Sequence, residues 1–431
     1  MGIVIGVGQT KPQMPYDQFY GIEWDVTVSN PKAKRIGKLE LHASLPVQSL
    51  MRRCVLRDNG EVAYYLDAND STKKEGGAPA KLDGTDGQVM VEIPAFYVKF
   101  ESEGNKRRCL MSLHALPGFA KWEKLYISAY EATIQRSTNK LSSVVNATAD
   151  YRGGDNNASK DGKFNSLLGI PASKFTIEEA RRFARNRGSV NWNCYVYQAH
   201  VELFWLFSVE YATFNSQDSF TAELDDSGCR QGGLGAGLTD VDSTLWSKYE
   251  YFAFVKCGVT NSVGNQSAAV DARMDAPVGY PGGAVVVKVP SYRGVENPFG
   301  HIAKLLDGVK LVVGSSGEIR SYVYVSPSDY GSRGVELCRP AGVYVKEGGY
   351  LRDISLGNSG DITPIGVGAG SSTFFCDKVL STNATGAEYE AFLVLGGYSN
   401  SRADAGMLCI ELVYAWNQKR NYSGTRLCYL P

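Results

Sequence analysis

One helix constrains the fold of this 431-residue chain more than any other segment. Between Val196 and Tyr211, the apolar residues Val201, Leu203, Phe204, Trp205, Leu206, Phe207 and Val209 lie nearly all round a helical axis, so the helix must be buried on most sides. Just ahead of it, Thr176-Ile177-Glu178-Glu179 opens a short helix with a Thr-x-x-Glu capping box, and Gly188 stops it. Other long helical patterns are few, whereas glycine (47 residues) and tyrosine (25) are abundant. The elements that bury the apolar helix must therefore be short strands and turns, which predicts an α+β chain.

Strand-like stretches fall at 20–28, 61–66, 89–100 and 124–133, and the last two could pair as antiparallel neighbours. A polar stretch from Asp67 to Ala80 suggests a division of the chain. Residues 1–84 read as a small β-rich module for attachment or assembly, and residues 87–431 as the larger domain.

Composition narrows the function classes. Lysine plus arginine and aspartate plus glutamate are balanced at 45 each, so no global field favours nucleic acid or an anionic membrane, and a partner must be recognised locally. The start, Met1 to Thr10, has neither the basic region nor the apolar length of a secretory signal, and no apolar run reaches membrane-spanning length. Nine cysteines, odd in number and widely spaced, predict buried free thiols made in a reducing cytoplasm.

Residues 396–431 mix two kinds of position. Gly396, Gly397, Ala405, Gly406, Leu408, Ile410, Leu412, Gly424 and Leu427 read as scaffold, small at bends and apolar at alternate strand positions. Between them stand Tyr398, Ser401, Arg402, Asp404, Glu411, Val413, Tyr414, Trp416, Lys419, Arg420 and Tyr422, which share no size, charge or polarity. Folding imposes shared properties, and a recognition surface need not. Tyr, Trp, Arg, Ser, Asn and Asp are also the residues of a paratope, where aromatics give rigid contact area and short polar groups adaptable hydrogen bonds. Strand alternation places Leu408, Ile410 and Leu412 on one face and Cys409, Glu411 and Val413 on an outward one. Tyr414, Trp416 and Tyr422 then serve as anchors, with Arg402, Asp404, Lys419 and Arg420 as rim charge.

With the odd residues replaced by Asn, the tract reads Gly-Gly-Asn-Ser-Asn-Asn…Ala-Gly-Met-Leu-Cys-Ile-Asn-Leu-Asn-Asn-Ala and closes in Gly-Thr-Arg-Leu-Cys-Tyr. This resembles the variable region of target proteins of diversity-generating retroelements, in which a reverse transcriptase substitutes bases at template adenines. Glu411, Trp416 and Lys419 depart from the pattern, because adenine changes in the codon AAC cannot produce them. The segments Phe204 to Tyr211, Gly232-Gly233-Leu234-Gly235, Tyr292 to Gly300 and Asp307-Gly308-Val309 look like the scaffold of the same group over residues 87–431. The resemblance implies a C-type lectin fold with two helices and many short strands, of the branch shared with formylglycine-generating enzymes. It also implies a non-enzymatic receptor-binding protein of a phage tail, whose partner is a bacterial cell-surface protein or glycan. A host-encoded adhesin at the bacterial surface is the alternative location, and self-association is left open.

The rival is an oxidoreductase of the formylglycine-generating type, for which the resemblance would require two adjacent late cysteines. Cys409 and Cys428 lie nineteen positions apart, and a buried structural thiol suits Cys409 better. His42, His114, His200 and His301 are too dispersed for a zinc site or a triad, with His200 expected to be packed and His301 to belong to a buried loop. The clusters Gly232 to Gly237 and Gly366 to Gly370 lack the Lys-Ser/Thr of a phosphate loop. No cofactor is expected; calcium is the one candidate metal, through Asp225, Asp226, Asp240 and Asp242.

Overall fold

The structure, a computed structural model, describes residues 17–145, 148, 150–154, 156–162, 168–242, 255–275, 284–380, 389–413 and 417–431. Strand makes up 40% and helix 13% of it, so short strands dominate the α+β architecture. The capping box forms as the sequence predicts: Thr176 Oγ1 accepts from Glu179 N at 3.1 Å, and the Glu179 carboxylate accepts from Thr176 N at 2.9 Å. Helix α2 runs Ile177–Arg185, after a short α1 at Leu39–Ser44.

Helix α3, Tyr197–Tyr211, is buried all round except at Gln198, as its apolar circumference requires. Trp205 packs against Trp24 and Phe100 at ring-centroid distances of 5.5 and 5.3 Å, and its Nε1 donates to Gly360 O at 2.8 Å. Near its C-terminal end, the fully buried Glu210 carboxylate accepts from Arg293 Nη2 (2.6 Å) and Tyr292 Oη (3.1 Å), which explains two residues of the 292–300 segment.

Three sheets surround this helix. The first, of five strands, runs in the order Lys34–Gly37, Tyr20–Asp25, Lys106–Ser112, Phe96–Glu103, Ala120–Trp122. In the second, of six, Trp192–Cys194 is followed by Leu427–Tyr429, Leu125–Ser128, Gln88–Ile93, Arg52–Leu56 and Val62–Tyr65. The expected antiparallel partnership of 89–100 with 124–133 is realised through Gln88–Ile93 and Leu125–Ser128, with Val91 opposite Ile127. Pro94 and Ala95 interrupt the longer stretch, and Phe96–Glu103 joins the other sheet.

The third sheet centres on Ala303–Val313, Tyr389–Leu395 and Ile410–Val413. Its outermost strands, Cys338–Tyr344 and Thr363–Ala369, approach each other beyond the sheet ends, where Val345 N donates to Pro364 O at 2.8 Å. The division near residues 84–87 needs correction. Tyr20–Asp25 pairs with Lys106–Ser112, and Arg52–Leu56 with Gln88–Ile93, so residues before and after the boundary complete the same two sheets. Main-chain pairing over long sequence distance overrides the polar stretch at 67–80. Among the described residues no helix is long and apolar enough to cross a membrane.

Helix α3 also buries Glu202, whose Oε1 accepts from Gln198 Nε2 at 3.0 Å and whose Oε2 has no hydrogen-bond partner among the described residues. Burial pushes its pKa up to about 8. A carboxyl raised above its unfolded value contributes stability that is full below the unfolded pKa and declines as pH rises through the folded one. Glu202→Gln should therefore match the parent near pH 4 and exceed it at pH 8, on the order of 2 kcal/mol. Urea unfolding at the two pH values measures this; parallel pH profiles for the two proteins would contradict it.

Candidate recognition surface

The C-terminal tract is built on a buried polar frame. Glu131 faces His301 Nδ1 at 2.5 Å and Lys304 Nζ at 3.0 Å, all three nearly devoid of solvent contact. Val255 N donates to His301 Nε2 (3.2 Å), which leaves Nδ1 as the donor toward the carboxylate. Lys304 Nζ also donates to Gly300 O at 2.7 Å. Because ionised groups are costly to bury unless paired, this trio fixes the 299–304 turn. Gly300 N then donates to Gly396 O (2.9 Å), and Ser399 N and Oγ donate to His301 O (3.1 and 2.8 Å).

From this frame the loop 396–404 is held on two more sides. Val241 N donates to Ser399 O at 2.9 Å and Arg402 N to Thr239 O at 2.6 Å. Gly396 and Gly397 take left-handed φ values of 89° and 68°, and a Cβ on Gly406 would run into the Asp377 carboxylate. His200 secures the following turn: its Nε2 lies 2.7 Å from Met407 O, while Nδ1 lies 2.9 Å from Tyr195 Oη. Burial pushes the His200 pKa down to about 4, as suits a packed imidazole donating to a carbonyl.

The odd residues of the tract gather above this frame. Tyr398 and Tyr422 stack at 4.3 Å between centroids and 26° between planes, each half-buried. Arg420 lies over the Tyr422 ring at 5.8 Å and pairs with Glu411. Ser401 Oγ accepts from Tyr398 N at 2.9 Å and shapes the loop. Arg402 pairs with Asp240 at 3.1 Å, both side chains largely exposed at 67% and 71%. Asp404 accepts from Tyr350 Oη (2.7 Å) and Lys378 Nζ (2.8 Å). Lys419 reaches Glu179 at 2.7 Å on helix α2. Tyr414 and Trp416 lie outside the described residues.

Val413 corrects the alternation expected from the sequence. It is 1% exposed, packed with Leu305, Phe392, Val394 and Leu427, and Cys409 is 3% exposed. The strand Ile410–Val413 lies inside its sheet between Tyr389–Leu395 and Lys378–Leu380, and both faces are covered. Leu408, Ile410 and Leu412 enter the main core, and Val413 enters a second cluster roofed in part by Tyr398 and Tyr422. Of that outward face only Glu411 retains partial exposure.

Asp240, Lys378, Tyr350 and Glu179 belong to this surface although they lie far from the tract in sequence. Glu179 carries a legible capping signal, which conceals its second partner; the others carry no local signal. Asp240 answers to Arg402, and Asp225 accepts from Ser227 N and Cys229 N within a turn, both at 2.9 Å. Among the described residues no group of three or more His, Cys, Asp or Glu is placed to hold a metal ion. Cys428 lies in the second sheet and Cys409 just ahead of the strand Ile410–Val413 of the third, both buried, and burial pushes the Cys428 thiol up to about 12 and that of Cys409 well above its ordinary value. Thiols so protonated are poor nucleophiles and metal ligands. Comparison of the sequence with protein-family models and with curated proteins returns no match.

Two measurements probe this arrangement. Val413→Ala should cost roughly 1.5–3 kcal/mol, as for a buried aliphatic side chain; a change under ~0.5 kcal/mol would return Val413 to the surface. A double-mutant cycle on Tyr398→Ala and Tyr422→Ala should give a coupling of about 0.5–1.5 kcal/mol, whereas additive effects would mean that the stack is not formed.

Proposed function

We propose that the protein is a non-enzymatic recognition protein whose C-terminal tract displays a diversified binding surface on a C-type lectin fold, acting as a phage-tail determinant of host choice. One observation carries the reading. With Val413 as the exception, the described members of the two classes separated by chemistry in the sequence occupy two environments: Gly396, Gly397, Ala405, Gly406, Leu408, Ile410, Leu412, Gly424 and Leu427 are buried, while Tyr398, Ser401, Arg402, Asp404, Glu411, Lys419, Arg420 and Tyr422 keep solvent contact on neighbouring segments. Two helices followed by a long run of short strands support the lectin-type reading.

The chemistry suits a protein or glycan ligand. The tract's described solvent-facing charges are paired, Arg402 with Asp240, Lys378 with Asp404, Arg420 with Glu411 and Lys419 with Glu179, around two stacked tyrosines. Such a face has no cationic excess for nucleic acid. Its aromatic centre with a charged rim matches the layout of binding hot spots.

Adsorption of the purified protein to a panel of bacterial strains tests the proposal. Tyr398→Ala and Tyr422→Ala should each weaken binding to the recognised strain about tenfold or more, equivalent to about 1.4 kcal/mol. A neighbouring reverse-transcriptase gene with an imperfect repeat of the last codons, differing at adenines, is the expected genomic companion. Cysteine-dependent, copper-dependent oxidation of a cysteine-containing peptide, with adsorption indifferent to both tyrosines, would replace this reading by the enzymatic one.

A further inference from the structure

A cavity of about 230 Å³ opens at the end of the five-stranded sheet, and none of the C-terminal tract lines it. Its apolar wall comes from Trp24, Phe214, Phe374 and Phe375, part of the aromatic array that surrounds helix α3. Phe214 meets Trp24 edge-on at 5.1 Å and Phe375 at 4.8 Å. Phe374 has a left-handed φ of 55°, an uncommon conformation for a bulky L residue, and its N–H is tied to Ser29 O at 2.7 Å. The chain thus holds an aromatic ring at the mouth of the cavity in a backbone state that glycine would adopt at no cost.

The polar groups of the rim fall into two sets. Glu23 is engaged by Arg108 (2.7 Å) and Lys106 (3.4 Å), and Asp25 accepts from Thr27 N and Oγ1 (2.9 and 2.6 Å). Lys32, Lys34 and Arg352 have no carboxylate partner among the described residues; Arg352 lies over the Phe374 ring at 5.6 Å. A surplus of positive charge therefore borders an aromatic wall, with Asn30 and the two carboxylates as further hydrogen-bonding groups.

We infer that this cavity binds one acidic sugar ring, a hexuronate unit, with a ring face against Phe374 and Trp24 and the carboxylate toward Lys34 and Arg352. The volume lies below the ~300–1,000 Å³ of sites for drug-sized ligands, so it admits a single ring. A purely aromatic acid would leave the Asn30 amide N–H without use, whereas sugar hydroxyls accept from that amide and donate to the remaining lone pairs of Glu23 and Asp25. The site is independent of the tract and of the recognition reading.

Saturation-transfer NMR and calorimetry on the full chain, with sodium glucuronate, glucose and benzoate as probes, test the assignment. Glucuronate should bind saturably, at least tenfold more tightly than glucose or benzoate, and more weakly as salt is raised. Lys34→Met with Arg352→Met should reduce glucuronate affinity at least tenfold. Phe374→Gly removes the ring while relieving the left-handed backbone; it should also lose at least tenfold. Equal or tighter binding of benzoate overturns the sugar class. Absence of saturable glucuronate binding, or binding untouched by these variants, overturns the site.

Discussion

A fully buried guanidinium closes the molecule. Arg426, five residues from the end of the sequence, donates from Nη1 to Ser128 O at 3.0 Å and from Nη2 to Asn297 O at 2.6 Å and to Glu296 O. It ties the final strand at once to Leu125–Ser128 within its own sheet and to the 292–300 segment. A cation without solvent is costly unless its protons find acceptors; here both terminal nitrogens find them, while Nε has none among the described residues. These acceptors lie roughly 130 and 300 residues away in sequence, so the charge forms its contacts only in the finished fold. The neighbouring Glu131–His301–Lys304 trio acts in the same way on the turn beneath Tyr398.

That frame explains how a tract can carry unrelated side chains without disturbing the fold. The backbone of 396–409 is fixed by hydrogen bonds to Thr239, Val241, Gly300, His301, Ser216 and Asp377, and these use main-chain atoms of the tract together with the buried Ser399 hydroxyl. The projecting side chains engage mainly one another or residues of other segments through ion pairs and a tyrosine stack. Exposed pairs of this kind contribute little stability, typically ~0–1 kcal/mol, but they restrict the rotamers of the side chains they join. The pairing of Arg402, Asp404 and Lys419 with Asp240, Lys378 and Glu179 makes part of the face a property of the scaffold.

Much of this was legible in the sequence where the signal is local. The Thr176/Glu179 capping box, the all-round apolar circumference of Val196 to Tyr211 and the strand character of 89–93 and 125–128 depend on neighbours a few residues apart, and each appears as expected. Signals that depend on distant pairing were not legible. Val413 alternates correctly for an outward position, yet the strand is internal and Leu305, Val394 and Tyr398 cover that side. The polar stretch at 67–80 resembles a linker, but the strands on either side of it share sheets. Asp240, Lys378 and Tyr350 join the candidate face only through folding, and the aromatic cavity at Trp24 and Phe374 joins residues 350 positions apart.

The central claim is that one set of tract positions builds the fold and another meets the ligand. A substitution scan of residues 396–431, scored separately for soluble folded protein and for adsorption to the recognised bacterium, tests it most directly. The account predicts that Tyr398, Ser401, Arg402, Asp404, Glu411, Lys419, Arg420 and Tyr422 tolerate replacement in folding while changing adsorption. It predicts that Met407, Ile410, Leu412, Val413 and Arg426 fail in folding itself. Loss of folded protein across the first set, or adsorption unaffected by changes there, would contradict it.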